Sequence, residues 1–555
     1  MYKQVLDPVS HSLGVSSIFA ILPLLSLFLL LGGIRMKAQW ASLISLGVAM
    51  VVAIAVYGMP FGQTVDSAAE GAAFGFFPIM WIVINALWIF HMTEESGHFA
   101  VLRRAFSSVS DDQRVQVVII AFCFGALLEA LAGFGTPVAI CGIMLVGLGF
   151  RPIKAAAVAL VADTAPVAFG AIAIPITTLA QVSAQPKHDL SQMVGRQTPF
   201  LALIVPFILV GMVGGRRGLR DSWPVALVAG GVFGALQFAT SNYISTELTD
   251  IIAALGSAAA VVALLRVWSP RAPGDEVEGA GPARPAIAGA SQADAAMERR
   301  VAAEEGRHLS TGTMLSAFIP YGIIIAVLGV CSLHDVSTQL DKATNAFSWP
   351  GLDVLNAKGK PPTSLIFKLN WFTAAGSQPF VCGLLTMAAL RISPRLALQT
   401  YVRTLRRLAW PIVTVCSVLA LAYVMNLSGQ TITLGTWAAG AGAFFAFLSP
   451  LIGWFGTAVT GSDTSSNSLF GALQVTAANK SHLSPVLMAA SNSSGGVLAK
   501  MVSPQNLAIG AAAVGLAGRE GHIFRKVIGW SIVLILLMAV LALLQSKGAL
   551  SWMVP

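Results

Sequence analysis

Two polar, glycine-rich breaks interrupt stretches of sequence that are apolar enough to lie inside a membrane. The first break covers residues 125–137 and the second covers residues 461–467. In hydrocarbon, a backbone group released from its helix costs several kcal/mol unless it finds another partner. Irregular backbone at that depth is tolerated where it lines a cavity, and paired breaks in corresponding halves of a chain are typical of a transporter's binding site. The two breaks therefore predict a shared pocket near the middle of the membrane.

The composition is that of a protein with many membrane spans. Of its 555 residues, 56% are apolar and 11% are charged, whereas about 25% are charged in a soluble protein. Because apolar runs recur at the length that crosses a bilayer, the sequence predicts an all-α polytopic membrane protein with about 14 to 16 transmembrane or half-spanning helices. The net charge of +9 is spread over short loops, so the lipid bilayer, and not a nucleic acid, is the expected partner.

Hydrophobicity and charge divide the chain into four regions. They are a first transmembrane repeat (1–220), connecting transmembrane helices (221–268), a cytoplasmic flexible linker (269–312) and a second, inverted repeat (313–555). The linker is rich in Ala, Gly and Pro and cannot bury enough apolar surface to fold alone. Lys and Arg gather in alternate loops, and the positive-inside rule places these loops in the cytoplasm. Both termini then lie in the periplasm. Acidic loops near Glu70 and Asp250 then fall on the periplasmic face.

The two halves of the chain repeat a set of motifs in the same order. The segment Gly-Phe-Gly-Thr that ends at Thr136 matches Gly-Ser-Asp-Thr ending at Thr464, 328 positions later. Asp163 and Pro175 match Asn492 and Pro504, each 329 positions later. The positive loops give the two repeats opposite orientations. We therefore predict inverted-topology repeats with broken helices or hairpins at the midplane, a recurrent plan of secondary transporters.

The chemistry of the two breaks favours a small anion. Gly133 and Gly135 relax the backbone, and Thr136 with the following proline can begin a new half-helix. The free N–H groups and the dipole of a helix N-terminus attract negative charge. The Ser- and Thr-rich stretch after Gly461 offers a second such terminus. The alternative is that both segments are glycine-rich packing seams between helices, which are common in membranes.

Four ionisable side chains fall within or beside apolar runs. A charge at the bilayer centre costs roughly 2.5–3.5 kcal/mol on insertion scales, so such residues mark a pathway by default. Glu129 is a candidate proton carrier or a hydrogen-bond partner, and Asp163 could take a proton or bond to the unwound turn that follows it. Asp463 is either a proton site or the cap of its half-helix. Lys500 could pair with a substrate carboxylate, with Asp463 or with Glu129.

Motifs of enzymes, pumps and metal sites are missing from the sequence. It has no Walker A, HExxH or GxSxG motif, which disfavours ATP-driven pumping and the common hydrolase chemistries. Its five cysteines form no CxxC pair, so neither a disulfide framework nor a metal site is indicated. We expect no enzymatic activity and no cofactor other than the proton as coupling ion.

The motifs resemble those of the L-lactate permease family, which includes glycolate permeases. The resemblance runs over nearly the whole chain and is carried by residues 124–140, 145–150 and 163–170 and, in the second half, by residues 461–467, 495–496 and 500–505. It implies uptake of lactate, with glycolate as a related substrate, by proton symport across the bacterial inner membrane. The family often has Asn where this chain has Asp163, and Ala where it has Thr136.

We therefore expect a multi-pass symporter that imports short 2-hydroxymonocarboxylates (L-lactate, glycolate and D-lactate) together with protons. The proton would be carried by Glu129, Asp163 or Asp463, and the substrate hydroxyl would meet Asn467 or Asn492. The predicted substrate-binding residues are Gly133, Gly135, Thr136, Asp463, Thr464, Ser465, Asn467, Asn492 and Lys500. Two alternatives stay open. A sodium-coupled carboxylate transporter of the same architecture would want more cationic groups near the site, and an intramembrane enzyme would need a Ser/His or metal constellation at depth.

Overall fold

The chain folds almost entirely into helices. The computed structural model describes residues 1–133, 135–270, 311–331, 333–356, 359, 361–362, 365–372, 376–548 and 550–555. The predicted linker, 269–312, lies almost wholly outside these described residues. The other region boundaries and the opposite orientation of the two repeats stay predictions.

Thirteen helices precede residue 270. They are α1 (Leu13–Ala20), α2 (Leu22–Phe28), α3 (Ala38–Ala55), α4 (Phe61–Phe74), α5 (Trp81–Glu95), α6 (His98–Ser107), α7 (Gln113–Gln116), α8 (Gly125–Leu131), α9 (Thr136–Gly147), α10 (Pro152–Ala162), α11 (Gly170–Ser183), α12 (Lys187–Tyr243) and α13 (Thr249–Val267). Wider, π-type turns continue several of these helices, at Leu29–Gly33, Gly75–Met80 and Val117–Phe124.

Ten helices are described after residue 310. They are α14 (Thr311–Cys331), α15 (His334–Asp341), α16 (Ser377–Ala389), α17 (Pro394–Ser428), α18 (Gln430–Ala438), α19 (Phe445–Thr460), α20 (Asp463–Lys480), α21 (Pro485–Gly496), α22 (Pro504–Ala513) and α23 (Glu520–Lys547). Tight 3₁₀ turns lie at Val167–Phe169, Ala439–Phe444, Val497–Val502 and Ser551–Met553.

Two small sheets add strands to the helical fold. Strand β1 (Tyr2–Lys3) pairs in parallel with β3 (Val354–Leu355), and β2 (Asn345–Ser348) pairs antiparallel with β4 (Ile366–Leu369). The β1–β3 pairing attaches the N-terminal segment to the segment between α15 and α16. Strands this short give no clear periodic signal, so the all-α prediction did not include them.

The number of membrane spans agrees with a multi-pass protein. Among the described residues, nine helices are long and apolar enough to cross a membrane, or up to eleven if each of two sharply bent pairs counts as one span. One bent pair is α10 with residues 167–183, which turn by 63°. The prediction of about 14 to 16 segments also counted half-spans, and α9 and α16 are shorter apolar helices of this kind. In addition, α12 is broken at Gly215, where φ is 60° and ψ is −154°.

Two acidic residues that were expected in periplasmic loops lie buried within helices instead. Glu70 is in the third turn of α4 with 1% of its surface exposed, and Asp250 is in the first turn of α13 with 0% exposed. A neighbouring helix packs against each of them, α17 against α4 and α12 against α13. Near Glu70, Gly71 lets α4 approach α17 so closely that an added Cβ would lie 2.7 Å from the Cα of Ala420.

Candidate functional site

Both sequence breaks border one cavity, of about 250 Å³. The first break contributes Gly133, and the second contributes the turn from Gly461 to Ser465. Side chains that are far apart in the chain complete the wall, and the lining includes Glu129, Gly170, Asp463, Thr464, Lys500, Gln505 and Asn506. The cavity therefore joins residues from the two halves of the protein.

A buried lysine holds two carboxylates at this cavity. Lys500 Nζ lies 2.6 Å from Glu129 Oε1 and 3.0 Å from Asp163 Oδ2. Lys500 is in the 3₁₀ turn Val497–Val502, Glu129 is in α8, and Asp163 directly follows α10. All three side chains are at most 6% exposed. Glu129 and Lys500 line the cavity, whereas Asp163 is absent from its lining.

Charge is not balanced in this group. One ammonium faces two carboxylates, and Glu129 Oε2 and Asp163 Oδ1 have no hydrogen-bond partner among the described residues. Burying charges costs several kcal/mol for each ion unless geometry and further hydrogen bonds compensate. Such a group responds strongly to one added proton or one added anion. Of the two protein partners that the sequence left open for Lys500, the structure pairs it with Glu129 and not with Asp463, and it adds Asp163. A contact of Lys500 with a substrate carboxylate stays a prediction.

The backbone behind Glu129 is shaped to make room for its carboxylate. An added Cβ on Gly170 would lie 2.8 Å from Glu129 Oε1, so any larger residue there would force this carboxylate to shift. The next three residues, Ala171, Ile172 and Ala173, have φ of 44°, 58° and 57°. Left-handed conformations cost non-glycine residues roughly 1–2 kcal/mol each. This strained turn unwinds the start of α11 beside the cavity. Strained backbone of this kind clusters at functional sites.

Asp463 is held from behind by side chains of α20 and α21. Its Oδ2 accepts hydrogen bonds from Ser493 Oγ at 2.6 Å and from Asn467 Nδ2 at 3.2 Å. The N-cap of α20 is Ser462, whose Oγ accepts from the Ser465 N–H at 3.3 Å. The sequence favoured Asp463 as this cap, and that assignment was wrong by one residue, because the chain turns into the helix at Ser462. Asp463 Oδ1 has no hydrogen-bond partner among the described residues.

Asn467 and Asn492 belong to the same buried network and not to the cavity wall. Asn492 Nδ2 donates to Asn467 Oδ1 at 2.9 Å, and Gln474 Nε2 donates to Asn492 Oδ1 at 3.0 Å. Asn467 Nδ2 also donates to the Pro175 carbonyl at 3.2 Å. Both asparagines are 0% exposed, and neither is among the residues that line the cavity. A substrate contact by either residue stays a prediction.

The first break forms the turn and the new helix that its sequence indicates. Gly135 has φ of 81°, and α9 begins at Thr136 with a proline in its first turn. Gly135 and Thr136 do not line the cavity, although Gly133 does. Asn506 joins the two breaks: its Nδ2 donates to the Gly461 carbonyl at 3.0 Å, and a Cβ on Gly135 would lie 3.3 Å from its Oδ1.

Gln505 and Asn506 are cavity residues that the predicted site did not include. They follow Pro504 in the first turn of α22, whose N-cap is Ser503. The helix N-terminus that borders the cavity beside α20 is thus that of α22 and not that of α9. The pair Ser503–Pro504 is a recognisable helix start, since Ser is favoured at the N-cap and Pro at the first helical position.

Two helices close the cavity on its other side. Ala38 and Gln39, at the start of α3, and Trp410 and Thr414, in α17, are part of its lining. The start of α3 directly follows Lys37, and Trp410 follows a run of exposed arginines at 406–407. The cavity therefore extends toward a face that is rich in positive charge. Among the described residues, no group of three or more His, Cys, Asp or Glu side chains is placed to hold a metal ion.

A multi-pass helical protein with broken helices around a buried, charged cavity has the architecture of a secondary transporter. The family model of the L-lactate permeases matches residues 16–547. The chain belongs to the L-lactate permease family. Membership in a family of permeases sets aside the alternative of an intramembrane enzyme.

The individual relatives are similar over their full length. The chain is 38% identical to the L-lactate permease of Salmonella typhimurium over 567 residues, which covers 100% of both sequences. It is also 38% identical to the glycolate permease GlcA of Escherichia coli over 549 residues, or 96% of each. Among solved structures, the Neisseria gonorrhoeae MtrF structure aligns with 87% of this chain and 84% of its own at a TM-score of 0.47 and 13% identity. That likeness is too remote to carry an argument about function.

Proposed function

We propose that this protein imports L-lactate and the related 2-hydroxymonocarboxylates glycolate and D-lactate by proton symport. The substrates are those named for its relatives, an L-lactate permease and a glycolate permease. The observation that carries the proton coupling is the sharing of Lys500 between Glu129 and Asp163 at the cavity. The protein would act in the bacterial inner membrane, with both termini in the periplasm.

The shared lysine links anion binding to a proton. A substrate carboxylate that enters the cavity meets one ammonium that is already paired with two carboxylates, and Asp463 also lines the wall. Like charges at such short range in a buried site repel strongly. A proton on Glu129 removes one negative charge and frees Lys500 for the substrate, while Asp163 keeps the ammonium in place. The anion and the proton then cross together, and the site's net charge is unchanged.

The remaining contacts of the substrate come from the two helix N-termini at the cavity. Thr464 and Ser465 of α20 and Asn506 of α22 can bond to the substrate's hydroxyl and carboxylate oxygens. The first-turn N–H groups of both helices favour an anion. Asn467 and Asn492 would act one layer behind, because Asn467 holds the Asp463 side chain and Asn492 in turn holds Asn467. Gly133 and Gly135 would allow the close backbone approach that lets these parts meet.

The side of the cavity formed by α3 and α17 would face the cytoplasm. Gln39 and Trp410 lie next to basic residues on the side that the positive-inside rule assigns to the cytoplasm. An imported substrate would leave the cavity on this side. A transporter of this plan returns by moving one unit against another around the site.

Transport in proteoliposomes tests the proposal. Purified protein is reconstituted, and the uptake of labelled L-lactate is measured with and without an inside-alkaline pH gradient, in sodium or in choline medium. We expect accumulation only with the gradient, and equally in both media. Uptake by active protein that ignores the gradient overturns proton coupling, and a requirement for sodium favours the sodium-coupled alternative. Competition by D-lactate, glycolate and pyruvate then ranks the substrates.

A further inference from the structure

Asp250 is a fully buried carboxyl group that the coupling described above does not use. Its surface is 0% exposed, and no described basic side chain forms an ion pair with it. Gln237 Nε2 donates to its Oδ1 at 3.0 Å, whereas its Oδ2 has no hydrogen-bond partner among the described residues. One amide N–H does not replace the hydration of an anion. A carboxyl group in such surroundings is therefore stable as a neutral acid and costly as an anion.

A short buried network joins Asp250 to the segment that carries Asp163. The same Gln237 amide also reaches the Ala165 carbonyl, at 3.4 Å. Ala165 lies two residues after Asp163 in the turn between α10 and the 3₁₀ turn Val167–Phe169. On its other side, Gln237 Oε1 accepts from Thr198 Oγ1 at 3.0 Å. The amide thus contacts both Asp250 and the bent span of the cavity.

Glu129 lies in a helix that packs against the helix of Asp250. Helix α13 packs against α8, and Asp250 interacts electrostatically with Glu129. Of the other charged groups near the start of α13, Lys187 of α12 forms an ion pair with Glu247, three residues before Asp250. In α12 the Arg196 guanidinium is directed to a backbone carbonyl of the C-terminal segment. Cys123 in the turn Val117–Phe124 contacts a serine hydroxyl, and α14 contains Tyr321 but no acidic residue, Lys, Arg or His.

The Gln237 amide can serve both protonation states of Asp250. When Asp250 is ionised, Nε2 donates to it as observed. When Asp250 is protonated, a half-turn of the amide presents Oε1 to the acid O–H and Nε2 to Thr198 Oγ1, because the oxygen and nitrogen ends have nearly the same shape. Neither state leaves the amide without a partner. A residue that only fills space would not need this reversible donor and acceptor.

We propose that Asp250 is a second proton-binding group on the coupling path and works as a pair with Glu129. This inference rests on the proposed function. As the substrate anion arrives, the O–H bond at Asp250 breaks and one forms at Glu129, so that one carboxylic acid and one carboxylate are present before and after. Each group has one oxygen without a described hydrogen-bond partner, Asp250 Oδ2 and Glu129 Oε2, that can hold the proton. A proton from the bulk restores Asp250 later in the cycle, and the pair titrates as one coupled unit.

Proteoliposomes separate coupling from transport. For Asp250→Asn, we measure both L-lactate counterflow at equal pH and accumulation driven by an inside-alkaline gradient. We expect counterflow within about twofold of that of the unsubstituted protein. We expect accumulation to be lowered by about tenfold or more, a change that corresponds to a typical coupling free energy. Asp250→Glu keeps a titratable group and should restore part of the accumulation. Glu70→Gln is the matched control, because Glu70 is also a buried intramembrane carboxyl group but interacts with Tyr423.

Each outcome decides the proposal. Accumulation by Asp250→Asn equal to that of the unsubstituted protein overturns it, as does an equal loss in Glu70→Gln or a parallel loss of counterflow in folded Asp250→Asn protein. If Asp250→Asn does not fold, Gln237→Met replaces it. We then expect the pH midpoint of accumulation to shift by about half a unit or more, since the amide no longer supports the ionised acid, and an unshifted midpoint overturns the proposal. Unsubstituted protein that never accumulates lactate overturns the proposed function itself.

Discussion

Lys500 Nζ and Glu129 Oε1 lie 2.6 Å apart, although the two residues are separated by 371 positions in the chain. The cation comes from the second half of the protein, and both of its anions, Glu129 and Asp163, come from the first half. The charged group therefore exists only when the two halves are packed together. This arrangement places the ion pairs, and any response to a proton or a substrate anion, at the junction of the halves.

Replacement of Glu129 by glutamine should uncouple transport from the proton. Glutamine has the shape of protonated glutamate but cannot ionise, so Glu129→Gln should keep counterflow of labelled lactate. Its accumulation on a pH gradient should fall by about 10²-fold, which is within the range for the loss of a proton-transfer group. Glu95→Gln is the control, because Glu95 forms an ion pair with Arg403, away from the cavity. Normal accumulation by Glu129→Gln would exclude Glu129 as a proton carrier.

Removal of the shared cation should destabilise the protein. Lys500→Met leaves two buried carboxylates without their partner, and breaking a buried pair in this way costs about 3–5 kcal/mol. The melting temperature of the detergent-solubilised protein measures the loss. The combination of Lys500→Met with Glu129→Gln and Asp163→Asn should recover most of the stability, because neutral groups need no counter-ion. A single variant that melts with the unsubstituted protein would contradict an ionised group of three.

The glycine beside Glu129 should be essential for transport. In Gly170→Ala the new Cβ would lie 2.8 Å from Glu129 Oε1, which is too close, so the carboxylate that pairs with Lys500 must shift. We expect lactate uptake to fall by about tenfold or more, since a displacement of about 1 Å in a site can cost 10²-fold. Gly529→Ala is the control, because nothing lies within 4 Å of a Cβ at that position in α23. Equal uptake by both variants would show that Glu129 tolerates displacement.

An ion pair at the α12–α13 turn should make stability depend on pH. Burial raises the pKa of Glu247, but the Lys187 ammonium and the hydrogen bonds that Glu247 accepts outweigh it and hold this pKa below its ordinary value. A lowered folded-state pKa stabilises the protein above the unfolded-state pKa, and this stabilisation is lost as the pH falls through the folded-state pKa. Glu247→Gln should thus be less stable at neutral pH, by about 1 kcal/mol or less. The melting temperatures of the unsubstituted protein and Glu247→Gln should converge at acidic pH. A difference that stays constant with pH would show that the effect comes from packing.

The local backbone of the site could be predicted from sequence. Glycine, serine and proline carry their information in one or two neighbouring residues, so the break at Gly135 and the helix starts at Thr136 and Asp463 follow from short-range rules. The membrane-spanning character follows in the same way from runs of apolar residues. These features need no knowledge of what packs against them.

The partners of the buried charges could not be predicted in the same way. The sequence left Glu129, Asp463 or the substrate as alternative partners of Lys500. Asp163 becomes a further partner only because α10 packs beside the 3₁₀ turn Val497–Val502. Asp250 was assigned to a loop because it follows a polar stretch, yet the fold covers it completely. Long-range packing decides such contacts, and hydrophobic periodicity does not describe it.

The Asn506 side chain has a consequence for how the protein can rearrange. Its hydrogen bond to the Gly461 carbonyl ties α22 to the second interruption, and its side chain leaves no room for a Cβ at Gly135 in the first. Separation of α22 from the second interruption would break this buried hydrogen bond and leave the Gly461 carbonyl without a donor. Movement of both together past Gln39 and Trp410 would not break it. The substrate would then move together with α22 and the second interruption. They would slide along the side of the cavity that is formed by α3 and α17.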